Sequence, residues 1–418
     1  MAEFQLKKVA ILVSGGPAPG INSVIRAATI KLRNNGVVVV GIFDGFKWLM
    51  EGDTNHVMYL DIPDVSQIHF ERGSILRTTR ANPTKKPEEI RQVVDSLEKL
   101  GVDVLLTIGG DDTCFAASLL EENSHEQLHV IHIPKTIDND LDLPMGIRTF
   151  GFSTAHALGV ELTKNMIEDA RTTGRWNFLV AMGRKAGHLA LGIGKSAGAT
   201  LTIIPEEFPE KTISLPTIVD ILVGAVIKRL ASNSPYGTAV IAEGISEKLE
   251  AEELERMGHI ERDEYGHLRL AEIDLGKILK NETRTQLKKI GIDMTIVDKN
   301  IGYELRCMEP NSYDLEYTID LGYSAAKHAL NGGTGDLVTI QKGRFIPIPF
   351  DRIMDPKTGR TKVRMIDVTT ESYEVAYEYM VRLKLRDLED PQALKKLADV
   401  ANMPPDQFRN RFEKTTMY

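Results

Sequence analysis

The chain has 418 residues, and 42% of them are hydrophobic. Because one hydrophobic core rarely serves so long a chain, we expect two α/β lobes. The formal net charge of -8, without a basic run, excludes nucleic acid and anionic membrane surfaces as expected partners. Two cysteines are too few for a disulfide framework, which favours a reducing cytoplasmic location.

The sequence shows no segment that would carry the chain into a membrane. Met1–Lys8 has no apolar signal core, and no stretch approaches the roughly 18 apolar residues that a spanning helix needs. We therefore expect a soluble protein that is not secreted.

Strand and helix patterns alternate along the first half of the chain. Lys8–Ser14 is predicted to be a strand, Gly15–Gly20 a turn, and Asn22–Leu32 a helix with Asn22 as its N-cap. The segments that repeat this order or have the pattern of further strands are Val37–Phe43, Val102–Leu120, Leu128–Ile133, Trp176–Ala197, Thr200–Ile204 and Thr238–Ala242. This alternation predicts mostly parallel, doubly wound sheets.

The second half is less regular. The predicted elements are a connector at Pro209–Pro216, a helix at Val219–Leu230, a charged surface insertion at Ser246–His267, a helix at Tyr317–Leu330, a strand at Asp336–Gln341 and a polar helical tail at Ser372–Phe412. We expect one lobe over residues 1–150, rejoined by part of the C-terminal region. A second lobe is expected over residues 151–345, and a C-terminal strand and helical tail over residues 346–418.

The most informative stretch is Pro134–Asp140, directly after a predicted strand. It sets the carboxylates of Asp138 and Asp140 beside the ammonium of Lys135 and the hydroxyl of Thr136. In open α/β sheets, catalytic groups gather beyond the carboxyl ends of the strands. A carboxylate beside a like charge has its pKa raised, which suits one of the pair to accept a proton from an alcohol. The alternative interpretation is a turn rich in Asp and Asn.

A second predicted strand end carries Gly109–Thr113, with two glycines and two acids. Asp111 can hold Mg²⁺ through one carboxylate, with substrate phosphate completing the coordination shell. The alternative interpretation is a solvated acidic loop at a helix N-terminus, where acids are mildly favourable. Together with Pro134–Asp140, these residues indicate phosphoryl transfer.

Other residues are candidates for binding phosphate. The turn Gly15–Gly20 follows a strand and opens a helix, so its backbone N–H groups can cradle an anion. The alternative is a tight turn, and the spacing matches neither the dinucleotide fingerprint nor the G-x-x-x-x-G-K-S/T loop. Arg175, Arg184 and Arg306 are candidates for clamping a phosphate bidentately, with surface salt bridges as the alternative.

These residues together give the chain a resemblance to the phosphofructokinase family. The motifs that carry it are Gly15-Gly16-x-x-Pro19-Gly20-x-Asn22, Gly41-Ile42-Phe43-Asp44-Gly45-Phe46, Gly109-Gly110-Asp111, Thr136-Ile137-Asp138-Asn139-Asp140 and Met182-Gly183-Arg184. Their order and spacing hold from about Val9 to Ala326. Within the family the chain is similar to the pyrophosphate-dependent branch, because Asp112 and Lys135 stand where ATP users carry glycine.

The resemblance implies a fold and a reaction. The fold is two doubly wound, mostly parallel α/β lobes, the first binding the donor and the second the sugar phosphate, with the active site in the cleft between them. The reaction is reversible transfer of a phosphoryl group from pyrophosphate to the 1-hydroxyl of fructose 6-phosphate, giving fructose 1,6-bisphosphate and phosphate. Mg²⁺ is the implied cofactor. A homodimer or homotetramer is implied because Arg175 aligns with an arginine that reaches into a neighbouring subunit's site.

The resemblance also implies roles for individual residues. Asp138 is the general base, and Asp111 holds Mg²⁺. Thr136, Asp140 and Lys135 support the transferring or leaving group, and Gly16 faces the donor. The residues implied to bind the substrate are Thr136, Ile137, Asp138, Arg175, Met182, Gly183, Arg184, Glu243, Tyr303, Glu304, Leu305 and Arg306.

Asp112 and Lys135 also have a physical reason to select the donor. A carboxylate about 4 Å from a nucleotide α-phosphate costs on the order of 4 kcal/mol at an effective dielectric constant near 20. Pyrophosphate has no third phosphate to meet the Asp112 carboxylate, and Lys135 can neutralise the leaving phosphate. Repulsion of one ligand with attraction of the other is a common source of specificity.

Three alternatives remain open from the sequence. The first is an ATP-dependent 6-phosphofructokinase whose Asp112 points away from the donor. The second is an NAD or lipid kinase, which shares the Gly-Gly-Asp loop but does not explain Pro134–Asp140 or Met182–Arg184. The third is a non-catalytic subunit that senses sugar phosphate, although such a subunit has no need of the acids near Asp138.

Overall fold

The protein is described by a computed structural model that covers residues 6–124, 128–144, 146–250, 253 and 273–418. It forms two compact units. The first comprises Met1–Ala155 and Tyr303–Arg364, and the second His156–Gly302 and Met365–Tyr418. Most of the predicted insertion at Ser246–His267 lies outside the described residues.

The strands, in chain order, are β1 (Lys8–Val13), β2 (Val38–Ile42), β3 (Val57–Leu60), β4 (Val104–Gly109), β5 (His129–Thr136), β6 (Phe150–Gly151), β7 (Trp176–Ala181), β8 (Leu201–Ile203), β9 (Gly237–Ala242), β10 (Ile296–Ile301), β11 (Asp336–Gln341) and β12 (Arg344–Pro349).

The α-helices are α1 (Ile21–Arg33), α2 (Lys47–Met50), α3 (Ile62–Val65), α4 (Pro87–Lys99), α5 (Asp111–Asn123), α6 (Phe152–Thr173), α7 (His188–Ala197), α8 (Leu215–Ala231), α9 (Ile245–Lys248), α10 (Leu275–Lys289), α11 (Tyr303–Arg306), α12 (Ser312–Leu330), α13 (Phe350–Ile353), α14 (Glu371–Tyr379), α15 (Leu385–Glu389), α16 (Pro391–Val400) and α17 (Pro405–Phe412). Short 3₁₀ turns lie at Ile68–Phe70, Pro83–Lys85, Pro205–Glu207 and Glu413–Met417. In the part of the chain that the structure describes, no helix is both long and apolar enough to cross a membrane.

The first unit is built on a sheet of order β12-β11-β5-β4-β1-β2-β3, with β6 beside β5. The β2–β3 and β11–β12 pairs are antiparallel, and the other pairs are parallel. Val9–Val13 of β1 are fully buried. Such continuous apolar runs are typical of central parallel strands that are covered on both faces.

The second unit is built on a parallel sheet of order β10-β7-β9-β8. Its core includes Trp176 and Phe178 of β7 and most of α8, whose residues are buried almost all round. The predicted α/β class with mostly parallel sheets is therefore confirmed.

The division of the chain differs from the boundaries expected from sequence. Tyr303–Arg364 belong to the first unit rather than the second, because α12 packs along α1. Tyr317 and Leu321 of α12 lie in the same hydrophobic core as Val24 of α1. The C-terminal helices from Met365 onward pack on the second unit instead.

The prediction that Asn22 caps its helix is wrong. The N-cap is Gly20, and α1 begins at Ile21 because the backbone of Gly20 adopts a left-handed conformation that ends the preceding turn. Asn22 lies buried in the first turn. Its side-chain amide donates to the Glu71 carbonyl at 3.3 Å and accepts from the Ile75 N–H at 2.9 Å.

Candidate active site

The acidic and glycine-rich loops of the first unit lie at one edge of its sheet. Strands β1, β4 and β5 are parallel neighbours, with Val13 opposite Ile108 and Gly109 opposite Pro134. Because the carboxyl ends of parallel strands meet at the same edge, the segments that begin at Ser14, Gly110 and Lys135 lie side by side. The sequence predicted this clustering from the strand ends alone.

The Gly15–Gly20 turn is lined by two cations. The Lys135 ammonium donates a hydrogen bond to the Gly16 carbonyl. The central carbon of the Arg306 guanidinium lies 3.2 Å from the place where a Gly16 Cβ would stand. A side chain at residue 16 would require the Arg306 guanidinium to shift by a few tenths of an ångström.

The pKa of Lys135 departs far from that of an ordinary lysine. Its side chain is 3% exposed, and its pKa is lowered to about 7. Burial is the largest cause, and the positive charges of Arg306 and Arg80 act in the same direction. The carboxylates of Asp138 and Asp111 oppose the shift. Two cations and two carboxylates therefore act on the Lys135 charge at this edge of the sheet.

Asp111 and Asp112 occupy the first turn of α5, after the N-cap Gly110. Asp111 is half-buried, whereas Asp112 is exposed. A negative charge at this position interacts favourably with the helix dipole. Among the described residues, no group of three or more His, Cys, Asp or Glu side chains could hold a metal ion.

The Thr136–Asp140 turn holds the paired aspartates. The Asp138 N–H donates to the Thr136 hydroxyl at 3.0 Å. Thr149 donates from its own hydroxyl to the Thr136 carbonyl at 2.7 Å. Asn139 takes a left-handed backbone, with φ of 58°, so the chain reverses between Asp138 and Asp140. Asp140 is buried and Asp138 is half-buried.

Met182, Gly183, Arg184 and Glu243 come together in the second unit. Strands β7 and β9 are parallel neighbours, and these residues follow their carboxyl ends. Gly183 donates from its N–H to the Glu243 carboxylate at 3.3 Å, and Gly244 donates to the Gly183 carbonyl at 3.1 Å. The Arg184 side chain is 54% exposed. Arg184 and Glu243 thus lie on two loops, after β7 and after β9, that are joined by hydrogen bonds.

The structure does not bring Arg175 to this group within one chain. Arg175 precedes β7, whereas Met182 follows it, so the two lie at opposite ends of the strand. The Arg175 guanidinium forms a two-pronged ion pair with Asp169, with N–O distances of 2.7–2.9 Å. A sugar phosphate bound near Met182 is therefore out of reach of Arg175 of the same chain.

The remaining predicted substrate residues differ in exposure. Tyr303 is 76% exposed, and Glu304 is exposed as well. Leu305 and Ile137, in contrast, are 0% and 4% exposed, so their side chains pack inside the first unit. Any contact that these two residues make with a ligand has to use the backbone.

Comparison with known proteins decides the family. The sequence matches the family described as Phosphofructokinase over residues 8–329. The chain belongs to the phosphofructokinase family. It is 52% identical over 415 residues to the Pyrophosphate–fructose 6-phosphate 1-phosphotransferase of Thermotoga maritima, covering 98% of this chain and 99% of that one. A protein of the same name from Naegleria fowleri is 46% identical over 412 residues, covering 96% and 94%.

A solved structure supports the phosphofructokinase fold independently of close sequence similarity. The crystal structure of a pyrophosphate-dependent phosphofructokinase from Nitrosospira multiformis superposes with a TM-score of 0.67 at 16% identity. The superposition covers 89% of this chain and 90% of the other. At this identity the likeness concerns the fold alone.

Sequence reasoning missed three residues that act on the loops after β4 and β5 of this phosphofructokinase. Arg80 adds positive charge beside Lys135. Thr361 donates to the Asp111 carbonyl at 2.9 Å, and Arg364 contacts Asn139. No strand end or motif marks these residues, and the last two lie beyond the matched range of 8–329.

Proposed function

We propose that this protein transfers a phosphoryl group from pyrophosphate to the 1-hydroxyl of fructose 6-phosphate, giving fructose 1,6-bisphosphate and phosphate. The names of relatives that are 52% and 46% identical support this reaction. The observation that carries the proposal is the buried Lys135 ammonium, bonded to the Gly16 carbonyl within the electrostatic influence of Asp111 and Asp138. Transfer between two phosphate-bearing substrates needs such a cation for the leaving phosphate and such a base for the hydroxyl.

In this proposal Asp138 takes the proton of the 1-hydroxyl as that oxygen forms its bond to phosphorus. The bond between the transferred phosphorus and the bridging oxygen of pyrophosphate breaks, and Lys135 neutralises the phosphate that leaves. The hydrogen bond from the Asp138 N–H to Thr136 orients the base. General-base catalysis contributes roughly 10²- to 10⁴-fold in rate.

We further propose Mg²⁺ as the cofactor, held by Asp111. One half-buried carboxylate in the first turn of α5 fits the way proteins hold this ion. Mg²⁺ keeps several waters and is usually bound through one or two carboxylates together with substrate phosphate. When bound, it would neutralise charge on the phosphate oxygens.

Asp112 and Lys135 are proposed to select pyrophosphate over ATP. Asp112 is exposed in the first turn of α5, one residue after the proposed Mg²⁺ ligand. A nucleotide phosphate about 4 Å from that carboxylate would be repelled by on the order of 4 kcal/mol. Lys135 offers the compensating attraction to the leaving phosphate. Because pyrophosphate carries less surplus free energy than ATP, we expect measurable rates in both directions.

The sugar phosphate is proposed to bind the residues that follow β7 and β9 and those of α11. The set is Met182, Gly183, Arg184, Glu243, Tyr303, Glu304, Leu305 and Arg306, with the turn residues Thr136 and Ile137. Arg184 and Arg306 would supply the positive charge for the 6-phosphate, since guanidinium groups match phosphate geometry. Arg175 is proposed to act in the site of a neighbouring copy, which requires a homodimer or homotetramer.

The cross-subunit role of Arg175 has a specific test. Arg175→Ala and Asp138→Asn should each be nearly inactive alone. A mixture of the two, dissociated and reassembled, should regain activity, because some sites then combine an intact Asp138 with an intact Arg175. Arg171→Ala removes an exposed arginine from the end of α6 and serves as the control. Lack of recovery in a confirmed hybrid would place Arg175 outside the site.

The reaction itself is tested by initial rates with fructose 6-phosphate and Mg²⁺, with pyrophosphate or ATP as the sole donor. Turnover with pyrophosphate alone is the expected result. Turnover with ATP alone would keep the family and refute the role of Asp112 and Lys135. Turnover with neither donor would favour a non-catalytic sugar-phosphate-binding subunit. Formation of pyrophosphate from fructose 1,6-bisphosphate and phosphate tests reversibility.

A further inference from the structure

A hairpin late in the first unit contacts both acidic loops. We call residues Met354–Arg364 the 354–364 hairpin. Its two arms are joined by an antiparallel bridge between Met354 and Thr361. The Asp355 N–H donates to the Arg360 carbonyl, and the Gly359 N–H to the Asp355 carbonyl, each at 2.7 Å. The hairpin lies beyond residues 8–329, over which the chain matches its family.

The first contact is made to the loop after β4. Thr361 is 8% exposed, and its hydroxyl donates to the Asp111 carbonyl at 2.9 Å. The carbonyl belongs to the same residue whose carboxylate is the proposed Mg²⁺ ligand. This hydrogen bond restrains the backbone of Asp111 and therefore limits the positions that its carboxylate can reach.

The second contact is made to the turn after β5. Val363 forms an antiparallel bridge with Leu141, and the Arg364 N–H donates to the Asp140 carbonyl at 2.8 Å. The Arg364 guanidinium donates to the Asn139 carbonyl from two of its nitrogens, at 3.1 and 3.0 Å.

The same guanidinium makes two further contacts around this turn. It donates to the side-chain oxygen of Asn139 and to the Ile147 carbonyl, the latter at 2.7 Å. The planar fork of an arginine suits several fixed oxygens better than the single ammonium of a lysine does. Arg364 therefore binds Asn139, whose backbone is left-handed and which lies between the two aspartates.

We propose that the 354–364 hairpin positions the two acidic loops relative to each other, with Arg364 and Thr361 as positioning residues for Asp138 and Asp111. This inference rests on the proposed function for the roles of those two aspartates. The hairpin bonds to both loops through side chains, from Thr361 to the Asp111 carbonyl and from Arg364 to the Asn139 carbonyl. Neither positioning residue needs to touch a substrate, so its loss should lower the rate of the chemical step more than it weakens binding.

Arg364→Met should lower kcat with pyrophosphate by about 10- to 100-fold, because a displacement of about 1 Å in a catalytic group costs up to about 10²-fold. The KM for fructose 6-phosphate should change by less than about threefold, since the sugar-binding loops are untouched. Arg364→Lys should recover part of the rate. The matched control is Arg360→Met, because Arg360 is exposed on the same hairpin and its guanidinium lies 5.9 Å from the Phe115 ring.

Thr361 offers a second pair of variants that preserve the fold. Thr361→Val keeps the shape but loses the hydroxyl, and Thr361→Ser keeps the hydroxyl. We expect the valine variant to lose about 10-fold in kcat and the serine variant to stay within about twofold of the original protein. Equal rates for the two variants would overturn the role of Thr361.

Hydrogen exchange tests the hairpin without reference to the reaction. In Arg364→Met, the amides of residues 136–141 should exchange faster, whereas those of β7 should be unchanged. Unchanged exchange at 136–141, or faster exchange throughout the first unit, would overturn a specific positioning role. If the original protein turns over neither donor, the proposed function fails, but this exchange pattern still decides whether the hairpin holds the turn.

Discussion

Lys135 donates a hydrogen bond from its buried ammonium to the carbonyl of Gly16, which joins the end of β5 to the turn after β1. Burial and the positive charges of Arg306 and Arg80 lower the Lys135 pKa to about 7. The free protein therefore loses stability by keeping this group charged. The carboxylates of Asp111 and Asp138 do not offset the burial of this charge, and pyrophosphate would add negative charge beside it. The group that destabilises the free protein is therefore suited to bind the donor.

The first prediction concerns how the buried charge of Lys135 lowers the free energy of unfolding. Below about pH 7 the lysine is protonated in the folded and in the unfolded protein, and burial of its charge destabilises the folded protein. Between pH 7 and 10.5 the unfolded chain binds the proton and the folded chain does not, so the free energy of unfolding rises with pH. Lys135→Met should therefore melt at a higher temperature than the original protein near pH 6, and this advantage should shrink toward about pH 9.

The same variant should lose catalysis. With pyrophosphate as donor, we expect kcat to fall by about 10²- to 10³-fold, as for loss of one preorganised charge at a reacting centre. Lys99→Met, which removes an exposed lysine from the end of α4, is the control for both measurements. A variant that is less stable near pH 6, or that keeps full turnover, would contradict the assignment.

The parallel strands and the cluster at their carboxyl ends could be predicted from local patterns. The runs Val9–Val13 and Leu105–Ile108 are buried throughout, and such runs followed by glycine-rich or acidic turns indicate parallel strands. The sequence predicted that a later part of the chain rejoins the first lobe, but the bounds of that part, Tyr303–Arg364, could not be predicted in the same way. They depend on packing of α12 against α1, a contact between distant segments that leaves no local periodic signal.

In the candidate site, too, some residues could be predicted from the sequence and others could not. Asp111, Lys135 and Asp138 could be proposed from the sequence because each lies at or just after the carboxyl end of a strand. Arg364 could not, because it acts on the carbonyl of Asn139, 225 positions earlier in the chain. Every residue has a backbone carbonyl, so a hydrogen bond to a carbonyl does not require a particular residue type. The sequence around Asn139 therefore gives no sign of the contact with Arg364.

The second prediction tests Asp138 as the base. Asp138→Asn keeps the size of the side chain but cannot accept the hydroxyl proton, so kcat should fall by roughly 10²- to 10⁴-fold. Binding of fructose 6-phosphate, measured by calorimetry, should stay within about threefold. Asp142→Asn changes an exposed carboxylate in the following loop and should leave both quantities nearly unchanged. Near-normal turnover of Asp138→Asn would remove Asp138 from the role of base.

The third prediction concerns the joined loops of the second unit. A Cβ at Gly244 would lie 2.5 Å from the Arg184 carbonyl, so Gly244→Ala must push the two loops apart. Because Arg184 and Glu243 are the proposed sugar-phosphate ligands there, we expect KM for fructose 6-phosphate to rise by about 10-fold or more. The measurement is a steady-state titration of the sugar phosphate at saturating pyrophosphate.

Gly198→Ala separates this effect from general strain. Gly198 has a left-handed backbone, with φ of 71°, and no atom lies within 4 Å of the place where its Cβ would stand. The substitution should lower stability by about 1 kcal/mol without changing KM. A rise in KM in both variants would mean that loss of stability, rather than displacement of the loops, is the cause.

The fourth prediction concerns His132, which is fully buried in β5 and pairs through Nδ1 with the Thr107 hydroxyl at 2.9 Å. Burial lowers its pKa from 6.5 to about 3. Between these values the unfolded chain binds a proton that the folded chain does not, so stability falls as the pH drops below 6.5. This one group should contribute up to about 1.4 kcal/mol per pH unit to the loss.

Replacement of His132 by asparagine, a neutral residue that can still bond to Thr107, should flatten this dependence. Urea unfolding between about pH 4 and pH 7 measures the slope of the unfolding free energy directly. His56→Asn, at a histidine whose side chain is 40% exposed, should leave that slope nearly unchanged. An equally steep loss of stability in His132→Asn would show that other groups govern the response to acid. The comparison is informative even if the asparagine variant is less stable overall, because the prediction concerns the slope and not the absolute stability.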